Sequence, residues 1–159
     1  MPKTGTRTPN LSGDKRMSNA LTIAGRFLLG LYFLVPGLMK FAAPEMHVAL
    51  MQMHNVPLAE PLMWVAAIAN VAGGLLLISG RHVCLTALGF VVYVLLVNVL
   101  LHDFWADHPG VSSEREVQNF IKNLGIVAGL LVLAGQSRLR PFTLKGWWRS
   151  DRMTNRDQA

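Results

Sequence analysis

Four stretches of the chain are almost cleared of charge, and polar passages separate them. They cover residues 21–39, 61–79, 83–101 and 119–135. The first three are nineteen residues long. As helices they would measure about 28 Å at ~1.5 Å per residue, enough for a hydrocarbon core. The fourth is the weakest, because Lys122 lies inside it. Residues 42–60 are too short and polar to span. Pro44 suits a first helical position and Glu45 a first turn. Met46, Ala49, Leu50 and Met53 then recur at i, i+3, i+4 and i+7. The pattern predicts an all-α integral membrane four-helix bundle, with a short amphipathic interfacial helix between its first two spans.

Composition agrees. Hydrophobic residues make up 52% of the chain, charged residues 15%, and the mean hydropathy is +0.35. A soluble domain carries roughly 25% charge. The net charge of +6 would suit nucleic acid if the cations formed a patch on a soluble fold. Here they flank apolar segments, so they point to topology and anionic lipid headgroups, and nucleic acid is not an expected partner. With four spans, one side holds Lys3, Arg7, Lys15, Arg16, Arg81 and the six cations of 137–159, eleven in all. The other side holds three, Lys40, Arg115 and Lys122. The asymmetry places both termini in the cytoplasm and supports the fourth span, without which the basic tail would lie outside. The expected organisation is a disordered tail over 1–19, a transmembrane domain over 20–136 and a basic tail over 137–159, with Trp147 and Trp148 at headgroup level. A cleavable leader competes with the first span, but that span is long for one and Lys40-Phe41 is a poor cleavage context. Met17 offers a second start for translation.

Small and polar residues inside the spans come next. Arg26, Gly30, Phe33, Gly37 and Lys40 fall on one stripe of the first helix. Gly30, Gly37, Gly73 and Gly74 are candidates for close helix contact, as is the Gly125–Gly129 GxxxG pair. Arg26 and Asn70 are the intramembrane polar residues. Arg26 either reaches cytoplasmic headgroups or serves a buried role, and Asn70 needs a partner on another helix.

The polar passage at 98–123 holds the densest chemistry. Lys40, Asn98, His102, Trp105, Asn119 and Asn123 would meet at the outer mouth of the bundle. Asn98 and His102 share a face, as do Asn119 and Asn123, at i and i+4. Such a layer suits a quinone or anionic head group, with Phe104 and Trp105 against a ring. It equally suits helix capping in the headgroup zone, and both readings stand at this point. No metal site is expected. His47 and His54 are seven apart, and His102, Asp103, Asp107 and His108 match no trusted ligand spacing and read as a solvated loop over 107–118. No histidine lies mid-span for haem, no CxxC exists, and the single Cys84 opens an apolar run as a small packing residue. No covalent cofactor is implied.

The segments GRFLLGLYFLVPGLMKF, NVAGGLLLISGR, LLHDFW and QNFIKNLGIVAGLL, in that order, resemble the DoxX family of small bacterial membrane proteins over residues 20–136. The resemblance implies a multi-pass protein of the bacterial inner membrane. It also implies membrane redox chemistry: some relatives are subunits of a thiosulfate:quinone oxidoreductase and others accompany oxidative-stress enzymes. Many relatives carry a Glu ahead of the Gly-Gly-Leu-Leu run, where this chain has Asn70. The expectation is a membrane subunit of a quinone-linked redox system, with quinone as ligand, a redox enzyme as partner and self-association open. The alternatives are a non-catalytic scaffold that holds peripheral enzymes through its basic tail, and a small transporter.

Overall fold

The computed structural model describes residues 11–106 and 108–137. The chain forms five helices: α1 (Leu11–Ala42), α2 (Pro44–Met53), α3 (Ala59–Ser79), α4 (Val83–Leu101) and α5 (Ser113–Gln136). Among the described residues there is no strand. All but α2 are long and apolar enough to cross a membrane. Thr22 on α1 hydrogen-bonds Gln136 on α5 at 3.2 Å. The beginning of α1 and the end of α5 therefore share one face of the bundle.

Two boundaries differ from the hydropathy pattern. Residues 11–19 are helical rather than a disordered tail, because little besides Gly13 opposes helix there and Asp14 suits the first turn. The rest of both expected tails, with Trp147 and Trp148, lies outside the described residues. At the other boundary, α5 starts six residues ahead of its apolar run. Glu114 and Glu116 stand in its first turn, where the helix dipole favours carboxylates. Pro44 occupies the first turn of α2, none of whose residues is buried. Its Met46, Leu50 and Met53 are exposed, as an interfacial helix requires.

The spans associate mainly as two pairs, α1 with α3 and α4 with α5. Lipid offers little hydrophobic drive between helices, so the first pair relies on close approach. A Cβ added at Gly30 would lie 2.9 Å from the Gly74 carbonyl oxygen, and one at Gly74 would lie 2.9 Å from the Gly30 carbonyl oxygen. Gly37 meets Asn70 and Val71 as closely. Gly73 faces the other way, under the ring of Phe90. That ring stacks on Phe33 with centroids 3.7 Å apart, which joins the two pairs in a core with Leu77, Cys84, Ala87 and Leu130. Gly125 and Gly129 do not join a contact: nothing lies within 4 Å of a Cβ at either. The GxxxG stripe falls on the outer face of α5, because the inner face is taken by Asn123, Leu130 and Leu133. Val65, Ile68, Val92, Val99 and Val132 are more than half exposed, giving the bundle the apolar rim that lipid would cover.

Arg26 lies at the terminal face. Its guanidinium packs against Gly80, which ends α3 in the left-handed region at φ 73°. Carbonyls crowd that helix end, and its negative dipole pole favours a cation. Among the described residues the buried Nε of Arg26 has no hydrogen-bond partner. Asn70, buried on α3, donates to the Tyr93 hydroxyl on α4 at 3.2 Å, while its Oδ1 has no hydrogen-bond partner among the described residues.

Candidate functional site at the mouth of the bundle

The face opposite the termini is built from the end of α1, the α2–α3 connection, the end of α4, residues 102–112 and the start of α5. It contains three polar groupings at different depths.

The deepest is a chain of amides. Asn98 lies one turn inside α4 and Asn123 about three turns into α5. Asn123 Nδ2 donates to Asn98 Oδ1 at 2.7 Å, and Asn98 Nδ2 donates to the Phe120 carbonyl at 3.2 Å. The Tyr32 hydroxyl on α1 donates to Asn123 Oδ1 at 3.3 Å. Both amides are buried. Each carries bonds to protein on its oxygen and its nitrogen, so the network fastens α1, α4 and α5 to one another.

Above it, His102 Nδ1 donates to Glu116 Oε2 at 2.5 Å. Their side chains are 19% and 11% exposed. Partial burial strengthens this bond relative to one in water. Phe104 and Trp105 follow His102 in sequence, and Phe120 stands one turn after Glu116. The three rings pack edge to face, at 5.1 Å for Phe104–Trp105, 5.4 Å for Phe104–Phe120 and 6.1 Å for Trp105–Phe120. Phe104 and Trp105 remain exposed. The result is an open aromatic surface beside a proton-bearing pair.

The third grouping lies in the loops. Asp103 Oδ1 bonds His54 Nδ1 at 2.9 Å, and its Oδ2 bonds His108 Nε2 at 2.8 Å. Burial pushes the Asp103 carboxyl up, but hydrogen bonds from His108 and His54 and from its own backbone outweigh it, leaving the carboxyl below its ordinary range. Asn55 and Leu58, both at φ 54°, shape the connection that delivers His54. For a Leu this conformation is strained.

The sequence-derived candidates therefore separate. Asn98 and Asn123 meet. His102 binds Glu116 instead of joining them. Asn119 accepts a hydrogen bond from Lys122 at an exposed position. Trp105 belongs to the aromatic surface. Lys40 is half-buried and makes no hydrogen bond or ion pair among the described residues. The solvated-loop reading of 107–118 needs correction at His108 and Glu116, which are paired and largely shielded; Asp107 lies outside the described residues. The sequence pattern does not single out Glu116, and it sets His54 beside His47 rather than Asp103. The spacing of Glu116, Phe120 and Asn123 at i, i+4 and i+7 could have signalled the first. Nothing local links His54 to Asp103, 49 positions away.

Comparison with known proteins agrees with the architecture. No curated protein and no solved structure matches the chain. A family model described as DoxX matches residues 21–103, from the first apolar span through the end of α4 and the start of the loop that carries Asp103. That is more than half of the 159 residues, and the chain is an integral membrane protein belonging to the DoxX family.

Proposed function

We propose that this protein is the membrane subunit of a quinone-linked redox system of the bacterial inner membrane, with both termini in the cytoplasm. The quinone head group would dock at the outer mouth, against His102 and Glu116. The observation that carries this reading is the His102–Glu116 pair at 2.5 Å beside the partly exposed rings of Phe104, Trp105 and Phe120. A quinone head group needs a flat apolar surface, a hydrogen-bond donor at a carbonyl oxygen and access from lipid. The three rings and His102 supply these. The buried amides do not, since their oxygens and nitrogens already bond protein. They position the helices that carry the pair.

A bound quinone would accept two electrons and two protons on reduction, with the electrons coming from a partner redox enzyme. The chain's own part is to orient the head group and to hold a proton between His102 Nδ1 and Glu116 at the polar boundary of the lipid. The test is titration of detergent-purified protein with a water-soluble ubiquinone analogue, followed by tryptophan fluorescence. Saturable quenching in the wild type, weakened at least tenfold in His102→Ala and Glu116→Gln, supports the reading. Absence of saturable quenching, or unchanged quenching in both variants, sinks it.

A further inference from the structure

His54, Asp103 and His108 belong to two connections distant in sequence, and they converge beside the α2–α3 junction. The candidate donor atoms, one from each residue, all lie within 4.8 Å of one another. The side chains of His54, Asp103 and His108 are 1%, 14% and 10% exposed. The geometry points to a binding site for one divalent transition-metal ion of the zinc type, held by His54 Nδ1, His108 Nε2 and the Asp103 carboxylate, with a fourth position open to water.

Three features carry this assignment. The first is donor chemistry: two imidazoles and a carboxylate form a recognised set for zinc and its neighbours, and three protein ligands leave a coordination position free. The second is spacing. In a tetrahedral site with bonds of about 2.0–2.1 Å, donor atoms lie roughly 3.3–3.4 Å apart. The separations here run from 2.8 Å to no more than 4.8 Å and bracket that value. The third is arrangement. The two imidazoles bond different oxygens of one carboxylate, their ring centroids lie 4.8 Å apart, and the surrounding protein shields all three groups from bulk water.

Without metal, each imidazole donates a ring N–H to Asp103. On binding, that proton moves to the other ring nitrogen of a neutral imidazole, or leaves an imidazolium, and the freed lone pair coordinates the ion. The other histidines provide contrasts. His47 Nδ1 is bonded to the Ala43 carbonyl of its own turn at 2.8 Å, and His102 has a single carboxylate partner.

The test uses the full chain in mild detergent, purified without a histidine tag and stripped with chelator. It is titrated with cobalt(II) and followed by visible absorption, with zinc as competitor. The expected result is one cobalt per chain, displaced by zinc. Affinity should fall at least tenfold in His54→Gln, Asp103→Asn and His108→Gln and stay unchanged in His47→Gln and His102→Gln. Circular dichroism and gel filtration check that each variant folds. Should a cluster variant not fold, zinc-edge X-ray absorption of the wild type decides: a shell with two imidazoles supports the site, and one or none overturns it. No saturable uptake by the wild type, or uptake lost equally in His102→Gln, also overturns it and leaves the cluster as a hydrogen-bonded clasp.

Discussion

The two helix pairs solve the same problem by opposite means. Between α1 and α3 the side chains are removed at the tightest point: Gly30 and Gly74 bring backbone against backbone, and no polar side chain enters that crossing. Between α4 and α5 polar side chains are added: Asn98, Asn123, His102 and Glu116 tie the helices through hydrogen bonds, while the glycines of α5 face outward. Lipid tails compete well for apolar surface, so either close packing or buried polarity must supply the attraction. The first device is rigid and chemically inert. The second keeps protons and lone pairs inside the bundle, so the chemistry gathers on the α4–α5 side.

This contrast can be broken at its strongest point first. Gly74→Ala should cost about 1–3 kcal/mol, because its methyl would press on the Gly30 carbonyl and on Leu34. Unfolding in mixed detergent and SDS, followed by helicity, measures the loss, and stability equal to wild type would remove the close-packing account. Asn98→Leu should cost roughly 1–2 kcal/mol, because it removes two interhelical hydrogen bonds worth about 0.6–1 kcal/mol each in a membrane. A double-mutant cycle with Asn123→Leu sharpens the point, since the two positions should be coupled rather than additive. Gly125→Ala should have an effect of at most about 1 kcal/mol and of stabilising sign, since the site is open and Ala favours helix. Marked destabilisation there would show that the outer glycine stripe is covered by another helix. Tyr32→Phe should have the smallest effect, about 0.5 kcal/mol, because its 3.3 Å bond is long and only part-buried. A larger loss would mean that α1 depends on α5 as much as on α3.

The spans were legible because a charge-free run of lipid-crossing length rarely occurs in a soluble domain. Which side of each helix faces inward was not. α3 and α4 are apolar all round, so periodicity carries little direction, and the GxxxG of α5 looked like a contact while facing out. Asn70 advertised its need for a partner, but only the fold supplied Tyr93. The mouth was half legible. Spacing put Asn98 with His102 and Asn119 with Asn123 on shared faces, but the hydrogen bonds join Asn98 to Asn123, His102 to Glu116 and Lys122 to Asn119. His54 with Asp103, and His102 with Glu116, arise from chain reversals that bring separate connections together. A linear pattern holds no record of those meetings.

The length of α1 has a mechanical consequence. Its 32 residues reach roughly 48 Å at ~1.5 Å each, against a hydrocarbon thickness of about 30 Å. Even at a tilt of ~40°, the steep end of the usual range, its height is still roughly 37 Å. The excess must emerge as a rigid post, and Asp14, Lys15 and Arg16 identify the end that stands in water. The Leu11 end of α1 therefore stands beyond the hydrocarbon at every tilt in that range.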